Sequence, residues 1–480
     1  MLRKLIISLV AAVLGCLTLG AQNDFRKAFE EFTTNAMSIH AAFTDTANAI
    51  FAKALAHNWA RFELSDGNQR MEKPKPESLP VADKAQTQFG MLSVLETIDT
   101  LQGPSPETES VRWLPQKSTF RTVQFTFYDV LQEVSVPQEY GTFHPRGISE
   151  KEVAAFWEEL SRYDYEQILT DCNRYVETCG YNDWAVLEWV QALSAALFPR
   201  DTFSEQAVFT VFLLNQMGLM TKIARADERL IGLFACRQPV YARKFLQIDS
   251  YPFYVAEKSF PASAVFTYKA DFAKANRPLD LRVRKPLRLG KADSFQTIKK
   301  NSPVFNTSLE LPVNKALMRF YDGYPQTAIT VYANACSEEK FSAALLSALE
   351  NQIKGLSALD AVQKILTFVQ TDFRYQTDLE QFGFEKPFFC EENFVYDVND
   401  CEDRAVLFTF LVRSLVGCEV VLLEYPNHIS TAVHLGEDVK GDRVRVKGRD
   451  FYVCDPTYVG ATLGMTIPQY KHQPVKVYEL

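Results

Sequence analysis

Blocks of helical and strand-like hydrophobic spacing follow one another along the 480 residues of the chain. Helical spacing covers residues 24–64, 150–200 and the segment from Phe341 onward, and strand-like alternation covers residues 119–144 and 262–335. A proline-rich stretch at 73–80 breaks the first helical block and indicates a linker. Runs of helices and runs of strands predict an α+β fold, and the length predicts more than one hydrophobic core.

The first 21 residues have the pattern of a signal peptide. Arg3 and Lys4 precede an uncharged apolar run, and Leu19-Gly20-Ala21 resembles a signal-peptidase site. A lipobox that ends at Cys16, which would then be lipidated, is the alternative interpretation. Both predict export to the periplasm or the cell envelope. The apolar run is too short to predict a membrane span, so we expect no transmembrane span in the mature chain.

Composition narrows the possible partners and cofactors. With 59 acidic and 51 basic side chains the formal charge is -8, so the chain lacks the basic footprint of a DNA- or RNA-binding protein. It has no phosphate- or dinucleotide-binding glycine motif, and its histidines lack zinc-ligand spacing, so we expect no cofactor and no metal. Most of the nine cysteines lie in apolar runs, which predicts buried thiols and no disulfide scaffold.

One cysteine lies at a predicted helix start. Asp400 is a candidate N-cap with Asp403 three residues later, and Gly417 closes the apolar run that begins at Ala405. Cys401 would then occupy the first helical turn, where unpaired N–H groups and the helix dipole stabilise a thiolate. Because the neighbouring acidic side chains oppose this effect, an imidazolium close by is needed to complete the activation.

Two further residues supply a base and a group that orients it. His428 opens a predicted strand, and Asp455 ends the following one. A thiol nucleophile needs a base within hydrogen-bond reach, and the base needs an acceptor on its other nitrogen. His434 shares a strand face with His428 and is the alternative base. For Asp455 the alternative is a structural role at the start of an Asp-Pro turn.

Together these residues resemble the transglutaminase-like superfamily, which has a papain-type core. The resemblance rests on the positions of Cys401 and His428 and on the sequence Tyr452-Val453-Cys454-Asp455-Pro456-Thr457, and it extends over roughly residues 340–466. It includes exported bacterial proteins of unassigned function. The resemblance implies a catalytic triad of Cys401, His428 and Asp455. This fold hosts cross-linkers, amidases, peptidases and inactive relatives, so the reaction is not implied with it.

The resemblance also implies an oxyanion hole. In related folds the backbone N–H of the nucleophile acts together with a donor from an upstream segment. Gln370 and Gln376 are the candidates for this second donor. For each of them the alternative is an ordinary solvated polar residue.

An internal repeat is indicated by segments that lie 198 residues apart. The matching segments are Phe253-Tyr254-Val255 with Phe451-Tyr452-Val453, Ala207-Val208 with Ala405-Val406, and Phe212-Leu213 with Phe410-Leu411. Chance similarity of two apolar helix–strand units is the alternative, but one shared offset favours a duplication. Phe203 would stand at the position of Cys401, and Leu230 at that of His428. The earlier copy would therefore have no thiol chemistry.

The expected division of the chain has five parts. They are a signal peptide at 1–21, a helical region with a linker at 22–110, a mixed β/helical region with the degenerate copy at 111–260, a small β-domain at 261–337 and the transglutaminase-like catalytic domain at 338–480. We expect an exported cysteine hydrolase or acyl transferase that acts on an amide bond of a peptide or peptide-linked polymer through an acyl-enzyme on Cys401. A non-catalytic binding or scaffold protein with a vestigial triad is the alternative.

Overall fold

A computed structural model of the protein describes residues 46–57, 59–67, 76, 78–82, 89–100 and 119–480. Helix accounts for 34% and strand for 28% of the structure, and the sheets are curled, so the predicted α+β class is confirmed. The predicted signal peptide, Cys16 and half of the predicted linker lie outside the described residues. None of the helices within the described ranges is both long enough and apolar enough to cross a lipid bilayer.

The N-terminal half contains a six-stranded sheet with helices on it. Its elements are β1 (Ala60–Glu63), β2 (Val94–Asp99), β3 (Phe120–Phe127), β4 (Val130–Pro137), α1 (Glu150–Arg162), α2 (Glu166–Cys179), α3 (Asp183–Leu197), α4 (Glu205–Gln216), β5 (Thr221–Ala226), β6 (Arg229–Ala235), β7 (Phe245–Ile248), β8 (Tyr251–Val255) and β9 (Ala264–Thr267). The sheet order is β1-β9-β5-β6-β8-β7, and β3 and β4 form a separate hairpin. Because α3 and α4 are apolar around most of their circumference, they lie in the core.

The first predicted helical block is only partly helical in the structure. Residues 46–55 form a helix, and the ring of Phe51 packs edge-on against Trp157 at 4.8 Å between centroids. The prediction is wrong at residues 60–63, which form β1 and pair with β9. The tertiary partner decides the outcome there, because β9 offers a free edge to four residues that spacing alone assigns to a helix.

The segment between the two sheets contains fewer strands than its alternation predicts. Leu279, Leu281 and Val283 are buried in alternation, yet they form no strand ladder. One isolated bridge joins Leu279 to Cys236, and side chains serve the residues that follow: the carboxylate of Asp183 accepts a hydrogen bond from the Asp280 N–H, and the side chain of Gln238 accepts one from the Leu281 N–H. The alternation there reports burial and one isolated bridge, not a continuous strand pair.

The C-terminal half contains the second six-stranded sheet. Its elements are β10 (Phe295–Ser302), β11 (Thr307–Asn314), α5 (Lys315–Gly323), α6 (Ile329–Ala333), α7 (Glu339–Ile353), α8 (Ala358–Thr371), β12 (Arg374–Tyr375), α9 (Asp378–Phe382), α10 (Glu392–Val395), β13 (Val398–Asn399), α11 (Cys401–Leu411), β14 (Glu419–Tyr425), β15 (His428–His434), β16 (Arg443–Val446), β17 (Arg449–Cys454) and β18 (Val475–Glu479). The sheet order is β16-β17-β15-β14-β18-β2. Helix α11 packs on β15, and β10 and β11 form a hairpin against α7.

Five strands follow the same order in both sheets. β7-β8-β6-β5-β9 of the first corresponds to β16-β17-β15-β14-β18 of the second, and every neighbouring pair within these sets is antiparallel. In each sheet a buried helix, α4 or α11, precedes the central hairpin and packs on it. The sheets differ at the sixth strand, since β1 is antiparallel to β9 and β2 is parallel to β18.

An early segment of the chain crosses the second sheet. Strand β2 pairs with β18, and isolated bridges join Val81 to Val459 and Met91 to Arg443. The backbone N–H of Gly90 donates to the buried carboxylate of Asp442 at 2.8 Å. The C-terminal half is therefore built partly from residues that precede β3 and α1 in the chain.

Candidate active site

The first turn of α11 holds the predicted nucleophile. Cys401 is the first residue of the helix and is fully buried. The carboxylate of Asp403 accepts hydrogen bonds from the backbone N–H groups of Asp400, at 3.1 Å, and Phe388, at 2.9 Å. These bonds fix the helix start, as the sequence predicts from Asp400 and Asp403. The Cys401 thiol lies 3.1 Å from the carboxylate of Glu402, to which it donates a hydrogen bond.

The predicted base and its orienting group are in contact. His428 begins β15 directly after the two-residue turn that closes the β14–β15 hairpin, where it pairs with Tyr425. Its Nε2 atom lies 2.8 Å from Oδ2 of Asp455, and the two side chains are 0% and 2% exposed. A carboxylate only accepts, so Nε2 carries the proton of this bond. Nδ1 of His428, which is left as the basic nitrogen, makes no hydrogen bond within the described ranges.

Asp455 is held by contacts on three of its atoms. Its second carboxylate oxygen, Oδ1, accepts the backbone N–H of Thr457 at 3.0 Å. Its backbone carbonyl accepts the side-chain amide of Gln370, also at 3.0 Å. With Oδ2 bonded to His428, the carboxylate has one orientation, and that orientation determines the plane of the imidazole.

His434, the alternative base, lies at the far end of β15. Its Nδ1 atom is 2.9 Å from the backbone carbonyl of Asp450, and its ring packs on Phe451 at 5.4 Å between centroids. Residues six apart on a strand are about 20 Å apart. Of the two histidines, His428 is the one in contact with Asp455.

The two candidate oxyanion donors have different surroundings. The Nε2 group of Gln370 donates to the carbonyl oxygens of Asp455, at 3.0 Å, and Ala461, at 3.3 Å. Both of its N–H bonds are engaged in this arrangement, so the side chain supports Asp455 here and is a less suitable oxyanion donor than Gln376. Gln376 directly follows β12, and its backbone N–H donates to the carbonyl of Asn399 at 3.3 Å. It is the candidate that remains for the second donor.

A buried arginine positions the segment that carries Gln376. The guanidinium of Arg404 donates to the side chain of Asn399 at 2.9 Å and to the carbonyls of Gln370 and Phe373 at 3.3 and 2.9 Å. It also lies over the ring of Tyr375, at 5.4 Å from its centroid. Burial lowers the pKa of Arg404 to about 10, so it stays cationic at neutral pH. It joins α11 to the end of α8 and to β12.

Two tyrosines stack beside the imidazole. The ring of Tyr470 is nearly parallel to that of His428, at 9° and 5.2 Å between centroids, and it also stacks on Tyr425 at 4.8 Å. Burial, together with the charges of Cys401 and Asp455, raises the pKa of Tyr470 to about 12. Tyr470 therefore lies within electrostatic range of both Cys401 and Asp455.

Buried carboxylates surround the start of α11. The groups that could hold a metal ion in the described part of the chain are Asp400 with Cys401 and Glu402, Asp378 with Asp400 and Asp403, and Asp378 with Glu385 and Glu402. Asp378 also accepts the backbone N–H of Lys386, at 2.7 Å. Together with the bond from Phe388 to Asp403, this contact ties residues 383–388 to the helix start. The hydrogen bonds from this loop give the carboxylates of Asp378 and Asp403 a structural role that needs no metal ion.

The described cysteines are all free thiols in distinct settings. They are Cys172, Cys179, Cys236, Cys336, Cys390, Cys401, Cys418 and Cys454. Burial raises the pKa of the thiols of Cys390, Cys454 and Cys336, which makes them poor nucleophiles at neutral pH. Among the described cysteines, Cys401 is the one that begins a helix beside a histidine–carboxylate pair.

Sequence patterns miss Arg404, Tyr470 and the thiol contact of Glu402. The signal for Arg404 is a charged side chain directly before the apolar run that begins at Ala405, because a buried arginine must bind several acceptors. Tyr470 carries no signal, since aromatic residues are frequent along this chain and its stacking partners are distant in sequence. The comparisons add nothing to these assignments: no protein-family model, curated protein or solved structure matches the chain.

Proposed function

We propose that the protein is an exported cysteine hydrolase or acyl transferase of the transglutaminase-like type that acts on an amide bond of a peptide or peptide-linked polymer. The observation that carries the proposal is the buried 2.8 Å contact between His428 and Asp455, next to the helix that begins at Cys401. A protonated Nε2 held by a carboxylate leaves the opposite nitrogen free to accept the proton of a nucleophile. Export rests on the sequence of residues 1–21 alone.

The proposed reaction has two halves. In the first, Nδ1 of His428 takes the thiol proton of Cys401, and the sulfur attacks the amide carbonyl. The oxyanion is stabilised by the backbone N–H of Cys401 and the side chain of Gln376. The imidazolium then protonates the departing amine and a thioester forms. In the second half, His428 takes a proton from water, which attacks the thioester and releases the acid and the free thiol.

Glu402 sets a condition on the first half. In the structure its carboxylate accepts the thiol proton of Cys401, so the proton must be redirected to His428 before attack. The proposed reaction therefore requires the thiol to rotate about its Cα–Cβ bond from Glu402 toward His428. A Glu402→Gln variant keeps an acceptor but removes a negative charge beside the thiol, and we expect faster acylation in it.

Single-turnover acylation of Cys401 tests the proposal. An electrophilic peptide amide mimic is added to the full chain, and mass spectrometry locates the label. We expect label on Cys401 in the wild type and none in Cys401→Ala, with Cys390→Ala as the matched control because Cys390 is equally buried and has a raised pKa. Label on Cys390 or Cys336 in place of Cys401 would contradict the assignment.

A non-catalytic binding or scaffold protein is the second candidate, and one observation favours it. Cys401, His428 and Asp455 are between 0% and 2% exposed, so a peptide does not reach them in this conformation. If no cysteine is acylated by the mimic while the protein is folded, the triad is vestigial. Acylation that saturates with mimic concentration would exclude this candidate, since it requires a binding step at an accessible site.

We also infer that the N-terminal sheet is a degenerate internal copy of the C-terminal one. Support comes from the common order of five strands and from residues at corresponding positions. Arg229 and His428 each begin a strand after a two-residue turn, and they lie 199 residues apart. The hairpin register thus assigns Arg229 to the position of His428, one residue before the Leu230 that the offset of 198 predicts.

A further inference from the structure

The ring of Tyr470 covers one face of the His428 imidazole. The two planes differ by 9° and the centroids are 5.2 Å apart, which is an offset-stacked arrangement. Tyr470 itself is only 1% exposed, and its ring also stacks on that of Tyr425 with an angle of 26° between the ring planes. His428 is thereby held by the hydrogen bond that its edge donates to Asp455 and by an aromatic plane over its face.

The position of Tyr470 is itself fixed from both sides. It ends a short 3₁₀ turn, Pro468–Tyr470, and its N–H donates to the carbonyl of Ile467 at 2.9 Å. The next residue, Lys471, places its ammonium 3.2 Å from the buried carboxylate of Asp442. That carboxylate also accepts the N–H of Gly90, so the segment that crosses the second sheet is joined to the turn. A ring anchored in this way has little freedom to move away from the imidazole.

We propose that Tyr470 is a positioning residue that keeps the imidazole of His428 in the plane of the Asp455 carboxylate and keeps water away from the bond between them. The proposal rests on the proposed function only for its effect on catalysis. An imidazole bonded through Nε2 alone can still rotate about that bond, which would turn Nδ1 away from the nucleophile. The stacked ring blocks this rotation. A low-dielectric cover also strengthens the bond from Nε2 to Asp455.

A control for a plain core role of Tyr470 is available in the same sheet. At the other end of β15, His434 packs on Phe451, which is also about 1% exposed. Phe451→Leu removes a buried ring of similar size from the same sheet without touching the His428–Asp455 pair. Tyr470→Phe keeps the ring and removes only the hydroxyl. Comparing these variants with Tyr470→Leu separates loss of packing from loss of the stack.

Proton NMR of the full chain labelled with ¹⁵N-histidine reads the proposed contact directly. The Nε2 proton of His428 should give a low-field signal in the wild type, Tyr470→Phe and Phe451→Leu. We expect the signal to be lost by solvent exchange in Tyr470→Leu. The maximal rate of Cys401 acylation should fall about tenfold or more in that variant only, at an unchanged half-saturating concentration of mimic.

The outcomes separate the two proposals. A wild-type signal that disappears in Tyr470→Leu, in a protein that is never acylated, would support the positioning role and contradict the proposed function. A signal and a rate that survive Tyr470→Leu would overturn the positioning role and leave the function intact. Equal losses in Tyr470→Leu and Phe451→Leu would also overturn it, since they would reduce Tyr470 to an ordinary core residue.

Discussion

The two sheets share an arrangement of five strands but differ in the pair of side chains at one corresponding position. At the start of the second hairpin strand, the C-terminal sheet has His428 paired with Asp455, and the N-terminal sheet has Arg229 paired with Glu257. The first pair is buried and the second is about half exposed, with side chains 49% and 40% accessible. Arginine has no acceptor atom and stays charged, so it can form the ion pair but cannot serve as a base.

The helix starts show the same division. Cys401 begins α11, whereas α4 begins after Ser204, whose hydroxyl accepts the backbone N–H of Leu230 at 2.9 Å. In the first sheet a side chain thus closes the junction between helix and strand by a hydrogen bond to the backbone. In the second, the junction holds the thiol of Cys401 and the imidazole of His428. The position is thus a structural joint in both sheets, and only the side chains placed there decide whether it can carry chemistry.

Removing the strand-start residue in each sheet gives the largest expected difference. His428→Ala should lower the rate of Cys401 acylation by about 10³-fold or more, because it removes both thiolate formation and protonation of the leaving amine. Arg229→Ala should leave that rate unchanged and cost about 0–1 kcal/mol of unfolding free energy, as for an exposed ion pair. Single-turnover kinetics and chemical denaturation measure the two effects.

His434→Ala is the control for the loss of a histidine from the same strand. Its ring contacts Phe451 and the Asp450 carbonyl, so most of the acylation rate should remain. An inactive His434→Ala beside an active His428→Ala would show that the base has been assigned to the wrong end of β15. The assignment of Cys401 could still stand in that case.

The two glutamines give the next largest effect. Gln376→Ala should lower the acylation rate by about 10²–10³-fold with little change in stability, as expected for the loss of one oxyanion donor. Gln370→Ala should act mainly on stability, by about 1–3 kcal/mol, because it removes the donor of the Ala461 carbonyl and one of the donors of the Asp455 carbonyl, which keeps the Tyr458 N–H. Kinetics and denaturation of both variants are compared. Similar rate losses in the two would show that Gln376 is no donor.

The orienting carboxylates come third. Asp455→Ala should lower the acylation rate by roughly a hundredfold, which is less than loss of the base, because Asp455 fixes the imidazole but takes no proton. Glu257→Gln in the N-terminal sheet weakens an exposed pair and should not change the rate. A rate loss in Glu257→Gln would show that the first sheet affects the candidate active site, which would contradict this expectation.

Local features of the site could be predicted from the sequence because each depends on neighbouring residues. A capping pair, an apolar run and a glycine locate the helix from Cys401, and the turn at Pro426-Asn427 locates the start of β15. The α+β class follows from the separate runs of helical and strand spacing. These signals are short-range, so they need no knowledge of the tertiary partners.

Features that depend on distant partners could not be predicted. Residues 60–63 become a strand because β9 lies beside them, and Gln370 turns its amide toward Asp455, 85 residues away. Tyr470 meets His428 only through the path of the chain after β17. The two hairpins are offset by 199 residues, one more than the offset of 198, which assigns Arg229 and not Leu230 to the position of His428 and is likewise visible only in the pairing register.

The smallest expected effect concerns the carboxyl group of Glu188, which lies in the N-terminal half. Burial raises the pKa of Glu188 to about 7, and Tyr128 donates a hydrogen bond to it at 2.8 Å. The protonated form is thus favoured in the folded state, and its stabilisation is complete below the unfolded pKa of 4.5 and lost as the pH rises through 7.

Glu188→Gln keeps an acceptor for Tyr128 but cannot ionise. At pH 8 its melting temperature should exceed that of the wild type by about 2–4 °C for each ~1 kcal/mol of unfolding free energy gained. At pH 4 the two proteins should melt at nearly the same temperature. Glu177→Gln, an exposed carboxylate on α2, is the control, and both variants should acylate Cys401 at the wild-type rate. An equal difference in melting temperature at the two pH values would show that Glu188 does not titrate in this range.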